Sequence, residues 1–298
     1  MTKFRGTGVA IVTPFKDGKV DYPALERIIE HVLQGGVEYI VSMGSTGEAT
    51  TLFREECKDI FRFTVNQVNG RVPLVAGLFG ANSTGHLLER IDQYADALDG
   101  FDAMMSSTPS YVKPTQEGIF QHYKVVEGHT PLPIILYNVQ GRTASNMTAE
   151  TTLRLANYSK KFIAVKEASG NLDQIQKVIK DKPENFLVLS GDDSLTLGMI
   201  ACGADGVISV IANAFPAQFS GMTRAALAGD FDKARQLQYE LFDLHPWLYA
   251  DGNPAGIKAA LEILGYCRKE LRLPLVPVSE STYANLKKEV EKIAGVLV

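Results

Sequence analysis

The sequence predicts an α/β protein: a (β/α)8 TIM barrel followed by a helical C-terminal segment. Eight short apolar runs begin at residues 8, 38, 73, 101, 133, 162, 186 and 206, so consecutive starts lie 20 to 35 residues apart. The runs are apolar almost throughout, as expected of parallel strands that are buried on both faces. Eight strand–helix units closing on themselves take about 250 residues, and the chain has 298.

The eight runs are the predicted strands, and the segments between them are amphipathic. The predicted strands cover residues 8–12, 38–43, 73–76, 101–105, 133–137, 162–166, 186–190 and 206–210. Between the first two, apolar residues recur at the spacing of one helical face: Leu25, Ile28, Ile29, Val32 and Leu33. Asp21 is the predicted N-cap of this helix, and Gly35-Gly36 is its predicted end.

The pattern beyond residue 212 is helical to the end of the chain, with predicted helices at 225–228, 231–244 and 283–294. We therefore divide the chain into a catalytic barrel, 1–224, and a C-terminal helical segment, 225–298. An open doubly wound sheet is the alternative fold. It is disfavoured because no Gly-x-Gly-x-x-Gly motif follows the first strand.

Composition excludes several classes of function. The formal net charge of −4 gives no basic surface for nucleic acid. The sequence has neither the apolar run of a signal peptide nor a stretch of about 20 apolar residues that could span a bilayer. The three cysteines, Cys57, Cys202 and Cys267, form no zinc or disulfide pattern, which favours reduced thiols and a cytoplasmic protein. The five histidines show no metal-ligand spacing, so we expect no metal site.

Lys166 is the strongest catalytic candidate, because barrel active sites lie at the carboxyl ends of the strands. It directly follows the apolar residues 162–165 of the sixth predicted strand. Desolvation at the barrel mouth disfavours the ammonium form and leaves an amine that can attack a carbonyl. The alternative is a strand-end lysine that reaches solvent or pairs with an acid.

Two neighbouring strand ends carry hydroxyl groups. Tyr137 ends the fifth strand, where a phenol could transfer protons or could simply bond a loop carbonyl. Ser45 and Thr46 follow the second strand within the segment 44–48, whose backbone N–H groups could bind a carboxylate. The alternative for this segment is a helix start capped by Ser or Thr, with Glu48 in the first turn. The two interpretations are compatible, because helix N-termini attract anions. Asp192 and Asp193 follow the seventh strand and disfavour a phosphate ligand there.

Seven segments carry a resemblance over almost the whole chain: 8–15 (GVAIVTPF), 44–48 (GSTGE), 111–118 (YVKPTQEG), 137–143 (YNVQGRT), 165–170 (VKEASG), 190–193 (SGDD) and 206–213 (GVISVIAN). Each motif alone is weak, but in this order and at the predicted strand ends they are specific together. The chain resembles the dihydrodipicolinate synthase branch of the pyruvate-dependent class I aldolase family, which also includes the N-acetylneuraminate lyases.

The resemblance implies a chemistry in which Lys166 condenses with pyruvate to a Schiff base. Loss of a methyl proton gives an enamine, whose carbon attacks the aldehyde of L-aspartate 4-semialdehyde. Cyclisation then displaces the lysine and releases hydroxy-tetrahydrodipicolinate, a step of the diaminopimelate route to lysine. No organic cofactor or metal is implied, because the imine itself is the electron sink.

The resemblance also implies roles for the hydroxyl groups. Tyr137 is the central proton shuttle, relayed through Ser45 to Tyr111. In the family this last tyrosine reaches into the neighbouring subunit's site across a tight dimer interface, and the expected assembly is a homotetramer, a dimer of tight dimers.

Four further positions are implied to bind substrate. Thr46, with Ser45, would hold the pyruvate carboxylate, and Arg142 would clamp the carboxylate of the aldehyde through its planar fork of donors. Gly191 and Ile208 match backbone and pocket-wall positions of the family.

Alternatives remain at the level of the substrate. A sugar-acid or sialic acid aldolase with the same Schiff-base chemistry is one alternative. Ser45 stands where synthases commonly have threonine and sialic acid lyases tend to have serine, and this position alone does not separate the two activities. Arg142 favours a short carboxylated aldehyde over a polyol. A non-catalytic barrel that binds a keto acid is the other alternative. Regulation by lysine is expected to be weak or absent, because four positions depart from the lysine-inhibited pattern: Arg54, Cys57, His86 and Ser110.

Overall fold

A computed structural model of the chain describes residues 3–295 and confirms the predicted barrel. Eight parallel strands close into a barrel in which each pairs with the next along the chain and the last pairs with the first. Every strand starts within two residues of its predicted start. The barrel strands are β1 (Gly6–Ala10), β4 (Tyr39–Ser42), β5 (Leu74–Phe79), β6 (Ala103–Ser107), β7 (Ile134–Asn138), β8 (Phe162–Glu167), β9 (Leu187–Ser190) and β10 (Gly206–Ser209). An additional antiparallel pair follows β1: β2 (Phe15–Lys16) and β3 (Lys19–Val20).

Helices connect the strands and continue beyond the barrel. They are α1 (Tyr22–Gln34), α2 (Arg54–Val68), α3 (Thr84–Tyr94), α4 (Gln116–His129), α5 (Gln140–Thr143), α6 (Ala149–Tyr158), α7 (Leu172–Asp181), α8 (Thr196–Ala201), α9 (Pro216–Leu227), α10 (Phe231–Phe242), α11 (His245–Tyr249), α12 (Ala255–Ile263) and α13 (Glu280–Gly295). The predicted cap of α1 is confirmed, because the Asp21 side chain accepts a hydrogen bond from the Ala24 N–H. Within residues 3–295, no helix is both long and apolar enough to cross a bilayer.

The C-terminal segment differs from its prediction in two ways. The helix predicted at 225–228 is the end of the longer α9, so the expected division after residue 224 falls inside a helix. The chain is also not helical throughout, since residues 264–279 contain no α-helix. Gly265 leaves α12 with a φ of +82°, and Pro274 and Pro277 lack the N–H that a helix interior requires.

The segment that follows β4 is a series of turns, and α2 begins only at Arg54. The alternative of a helix start at 44–48 is therefore wrong. Met43 and Glu48 have φ values of +62° and +54°, which a helix does not allow. The Glu48 carboxylate accepts a bond from the Lys258 ammonium at 2.5 Å instead of capping a helix.

Alternation along the strands decides which side chains enter the barrel. Inside it, one apolar cluster includes Ile135 and Tyr137 on β7 and Ala164 on β8, whereas a second cluster lies between the strands and the helices. Because successive strand residues face opposite ways, Lys166 points to the same side as Ala164. Both Lys166 and Tyr137 thus lie on the inner face at the carboxyl end of the barrel.

Candidate active site

A cavity of about 820 Å³ lies at the carboxyl ends of the barrel strands. Its walls come from the strand ends and from the C-terminal segment, which contributes residues of α10 and α11 and the loop before α12. Six of the eight predicted site residues line it: Ser45, Thr46, Tyr137, Arg142, Lys166 and Gly191. Residues that are 146 positions apart in the sequence therefore share one space.

Lys166 projects from β8 into this cavity and is only 5% exposed. Its register partner on β7 is Tyr137, directly across the strand pair. The Lys166 Nζ lies 4.4 Å from the centre of the Tyr137 ring, so the amine packs against the face of the phenol. The two predicted catalytic groups are neighbours because they occupy matching positions on adjacent parallel strands.

Gly191 gives the lysine its path into the cavity. Its N–H donates to the carbonyl of Glu167 at 2.8 Å. A Cβ at this position would lie 2.7 Å from the Ala168 Cβ and 3.1 Å from the Lys166 Cε. The absence of a side chain is what lets the lysine stem pass over this backbone.

Gly191→Ala is therefore expected to displace Lys166 and lower kcat by about 10- to 100-fold, because small misplacements of reacting groups are costly. Overpacking should also destabilise the fold by about 1–3 kcal/mol. The matched control is Gly198→Ala, where an added Cβ meets nothing within 4 Å. Steady-state kinetics and thermal unfolding of both variants test this, and equal kinetics for Gly191→Ala and wild type would contradict it.

The turn after β4 presents two hydroxyls to the cavity. Ser45 is exposed, whereas Thr46 is buried and its Oγ1 accepts a hydrogen bond from the Asn253 Nδ2 at 3.0 Å. The turn is tight at Gly47, where a Cβ would come within 3.1 Å of the Ile11 carbonyl oxygen. This geometry offers hydroxyl and backbone donors to an anionic group.

Arg142 lies in the short helix α5, which follows β7 at the cavity mouth. Its side chain is exposed, and its Nη2 donates to the Asn253 carbonyl at 3.1 Å. Asn253 thus contacts both Arg142 and Thr46. The sequence reasoning missed this residue, because its only local signal was a polar Asp-Gly-Asn-Pro loop far from any strand end.

Two predicted residues do not line the cavity of this chain. Tyr111 is 85% exposed with a φ of +72°, and its N–H donates to the Thr143 carbonyl at 3.1 Å. Ile208 belongs to the cluster inside the barrel, whereas Val210, two residues further on, lines the cavity. The Tyr111 side chain is therefore largely in solvent and does not line the cavity of its own chain.

The acidic loop after β9 has two different environments. Asp192 lines the cavity. Asp193 is buried and accepts hydrogen bonds from the N–H groups of Val210 and Ile211, at 2.9 and 2.8 Å, which fix the end of β10. Burial raises the pKa of Asp193, while the charge of nearby His245 acts to lower it. Burial also lowers the pKa of His245.

Among residues 3–295, no group of three or more His, Cys, Asp or Glu side chains is arranged to hold a metal ion.

The chain is similar to known proteins over nearly its whole length. The family model described as the dihydrodipicolinate synthetase family matches residues 3–293. A 4-hydroxy-tetrahydrodipicolinate synthase from Parabacteroides distasonis is 48% identical, covering 97% of each chain. One from Azobacteroides pseudotrichonymphae is 50% identical, covering 95% of each. The crystal structure of dihydrodipicolinate synthase from Thermotoga maritima superposes with a TM-score of 0.95 at 38% identity, covering 98% of this chain and 99% of that one. The chain belongs to the dihydrodipicolinate synthetase family.

Proposed function

We propose that this chain is a 4-hydroxy-tetrahydrodipicolinate synthase that condenses pyruvate with L-aspartate 4-semialdehyde, a step in lysine biosynthesis. The observation that carries the proposal is the Lys166 amine, 5% exposed in the wall of the cavity and 4.4 Å from the Tyr137 ring. A non-catalytic binder of keto acids would not need a desolvated amine beside a phenol. The relatives that cover nearly the whole chain carry the same activity in their names.

In the first half of the proposed reaction, the Lys166 amine adds to the keto carbon of pyruvate and water leaves, giving an imine. The carboxylate of pyruvate rests on the donors of Ser45 and Thr46. The protonated imine withdraws electrons, so a methyl proton can leave to the Tyr137 oxygen and an enamine forms. Hydroxyl groups can accept and donate in turn without a permanent charge, which suits a relay in a desolvated cavity.

In the second half, the enamine carbon attacks the aldehyde carbon of L-aspartate 4-semialdehyde and a new C–C bond forms. The aldehyde oxygen takes up a proton through the Tyr137 relay. The α-amine of the same substrate then adds to the imine carbon, and the bond to Lys166 breaks. The product leaves as a ring and the lysine returns to its starting state.

Arg142 at the cavity mouth supports a carboxylated aldehyde over the sugar aldehyde of a sialic acid lyase. Arg142→Lys keeps the charge but loses the planar fork, so we expect KM for the aldehyde to rise about 10- to 100-fold. The KM for pyruvate should change little. Steady-state kinetics with each substrate varied in turn test this, with Arg154→Lys, an exposed arginine paired to Glu117, as control. Equal KM values for Arg142→Lys and wild type would contradict the assignment.

The function itself is tested by reduction with borohydride in the presence of pyruvate. Peptide mass mapping should then find a pyruvyl adduct on Lys166, and the sample without pyruvate should carry none. The absence of any adduct would remove the Schiff-base mechanism, and an adduct on another lysine alone would remove Lys166 as its amine. Assays with aspartate 4-semialdehyde and with N-acetylmannosamine as competing acceptors then separate the synthase from a sialic acid aldolase.

The proposed assembly is a homotetramer built as a dimer of tight dimers, with Tyr111 entering the partner's site. Its support is a set of exposed apolar side chains that an isolated chain would leave in water: Phe53 at 77%, Tyr111 at 85% and Leu273 at 80%. Two of these side chains come from neighbouring parts of the surface. Tyr111 follows Ser110 and Leu273 precedes Pro274, and both Ser110 and Pro274 line the same second cavity. Analytical ultracentrifugation tests the assembly, and a monomer with full activity would contradict it.

We also propose that lysine inhibits this enzyme weakly or not at all. The proposed location of the enzyme is the cytoplasm. Cys57, one of the positions that depart from the lysine-inhibited pattern, is 1% exposed and offers no polar surface to a ligand. Burial raises the pKa of the Cys57 thiol to about 11 and that of Cys267 to about 12. Such thiols are poor nucleophiles, in keeping with a reducing compartment. Initial rates with added lysine test the first point.

A further inference from the structure

A fully buried ion pair lies behind the wall of the cavity. The Lys258 Nζ and the Glu48 Oε1 are 2.5 Å apart, and both side chains are 0% exposed. The ammonium also packs 4.2 Å from the centre of the Phe15 ring. Among the ion pairs of residues 3–295, this is the one in which both partners are sealed from solvent.

Stability alone does not account for such a pair. Each ion loses its hydration on burial, and the mutual attraction often does no more than offset that loss, so apolar residues of similar volume would hold the fold as well. Burial lowers the pKa of Lys258, while the Glu48 carboxylate acts to raise it. A role in fixing one particular conformation is the better-attested reason for a buried ionic pair.

Glu48 is the last residue of the turn that presents Ser45 and Thr46. Its backbone φ is +54°, a left-handed conformation that costs free energy in a residue other than glycine and is kept only when the surroundings enforce it. Its second carboxylate oxygen accepts the N–H of Arg272 at 3.3 Å. The carboxylate is therefore held from two points of the C-terminal segment.

The helix that carries Lys258 also reaches the substrate-binding residues by a second route. Lys258 lies in α12, which starts two residues after Asn253. Asn253 donates from its side chain to Thr46 at 3.0 Å and accepts from Arg142 at its carbonyl, at 3.1 Å. A shift of α12 relative to the barrel would therefore move Thr46 and Arg142, the two proposed carboxylate-binding residues, together.

We propose that Glu48 and Lys258 are positioning residues for the pyruvate carboxylate site. The ion pair clamps the turn 44–48 onto α12, and so keeps the Ser45 and Thr46 donors aimed at the carboxylate of a substrate bound to Lys166. This inference rests on the proposed function, since it names residues that serve the same cavity. Neither residue touches the reacting atoms, so the pair sets affinity for pyruvate more than the rate of the bound complex.

The test uses the full-length enzyme with Lys258→Met, and with the double variant Glu48→Gln/Lys258→Met. In both, KM for pyruvate should rise about tenfold or more, because a turn displaced by even an ångström loses its contacts. In both, kcat should fall by less than about threefold, as expected when ground-state and transition-state binding are lost equally. Borohydride should still trap the pyruvyl adduct on Lys166 at saturating pyruvate.

The double variant separates positioning from stability. Lys258→Met leaves a buried carboxylate without its partner and should lower Tm, whereas the double variant leaves no buried charge and should recover Tm. The raised KM for pyruvate should persist in the double variant. If the KM for pyruvate returned to the wild-type value together with Tm, or never rose, the positioning role would be overturned.

The matched control is Lys182→Met, which removes a largely buried pair with Asp205 at 2.9 Å. Asp205 directly precedes β10, at the end of the barrel opposite to the cavity. This variant should lose stability and keep the wild-type KM for pyruvate. Failure of the proposed function would look different: the wild-type enzyme itself would form no adduct with pyruvate. Failure of the positioning role alone would leave that adduct in place and give the Lys258 variants wild-type kinetics.

Discussion

Replacing Lys166 with methionine is expected to lower kcat/KM by about 10⁴-fold or more, as loss of a covalent nucleophile does elsewhere. Methionine has a similar length and fits an apolar wall, so the fold should survive the change. The borohydride-trapped pyruvyl adduct should disappear completely, because no amine remains in the cavity wall at this position. Mass mapping after reduction and progress curves at high enzyme concentration give the two measurements.

The control for this variant is Lys161→Met, at the other end of the same strand. The Lys161 Nζ donates to the carbonyls of Glu127 and Thr130, at 2.8 and 2.7 Å, and is remote from the cavity. Its loss should cost stability while leaving the adduct on Lys166 intact. An active Lys166→Met enzyme, or an adduct retained in that variant, would show that another amine carries the reaction.

Tyr137→Phe is expected to lower kcat by about 10²- to 10⁴-fold, the usual contribution of a positioned proton donor and acceptor. The ring that packs 4.4 Å from the Lys166 Nζ remains in this variant, so the amine keeps its place and only the hydroxyl is lost. Binding of pyruvate should be largely preserved, and the adduct should still be trapped after long incubation. Rapid-quench measurements of imine formation and of steady-state turnover distinguish these effects.

A second buried phenol provides the comparison. Tyr123 is fully buried outside the barrel interior, and its hydroxyl donates to the Ser106 carbonyl at 2.9 Å. Tyr123→Phe should destabilise the fold by about 1–3 kcal/mol, because it leaves a buried carbonyl without its donor, and kcat should stay near the wild-type value. A Tyr137→Phe variant that lost only stability in the same way would refute the shuttle.

The barrel could be predicted from the sequence because its signal is local. Each parallel strand is buried on both faces and must be an apolar run, and each run starts within two residues of the observed strand. The same regularity placed Lys166 and Tyr137 at the cavity, since a residue at a strand's carboxyl end has nowhere else to lie in a barrel. The family resemblance supplied the proposed roles.

The C-terminal segment was less predictable, because its contacts depend on distant parts of the chain. A helical pattern indicated that helices follow the barrel, and the prediction of helix to the end of the chain overlooked Gly265, Pro274 and Pro277 in the irregular residues 264–279. Nothing local indicated that Asn253 would reach Thr46. Lys258 has apolar and small neighbours in α12, and only the folded barrel supplies its partner Glu48, 210 positions earlier in the chain.

The sequence by itself determined the barrel and its strand ends, because an apolar run is a signal carried within a few residues. It also predicted Lys166 as the catalytic amine, from its place at a strand end together with the family resemblance. The tertiary structure decided which groups surround that amine. The path left free by Gly191, the exposure of Tyr111 and the buried clamp between Glu48 and Lys258 all arise from packing between remote segments. Lys166 became an enclosed amine in a shaped cavity because packing between remote segments, which no local pattern encodes, placed residues of the C-terminal segment in the cavity wall.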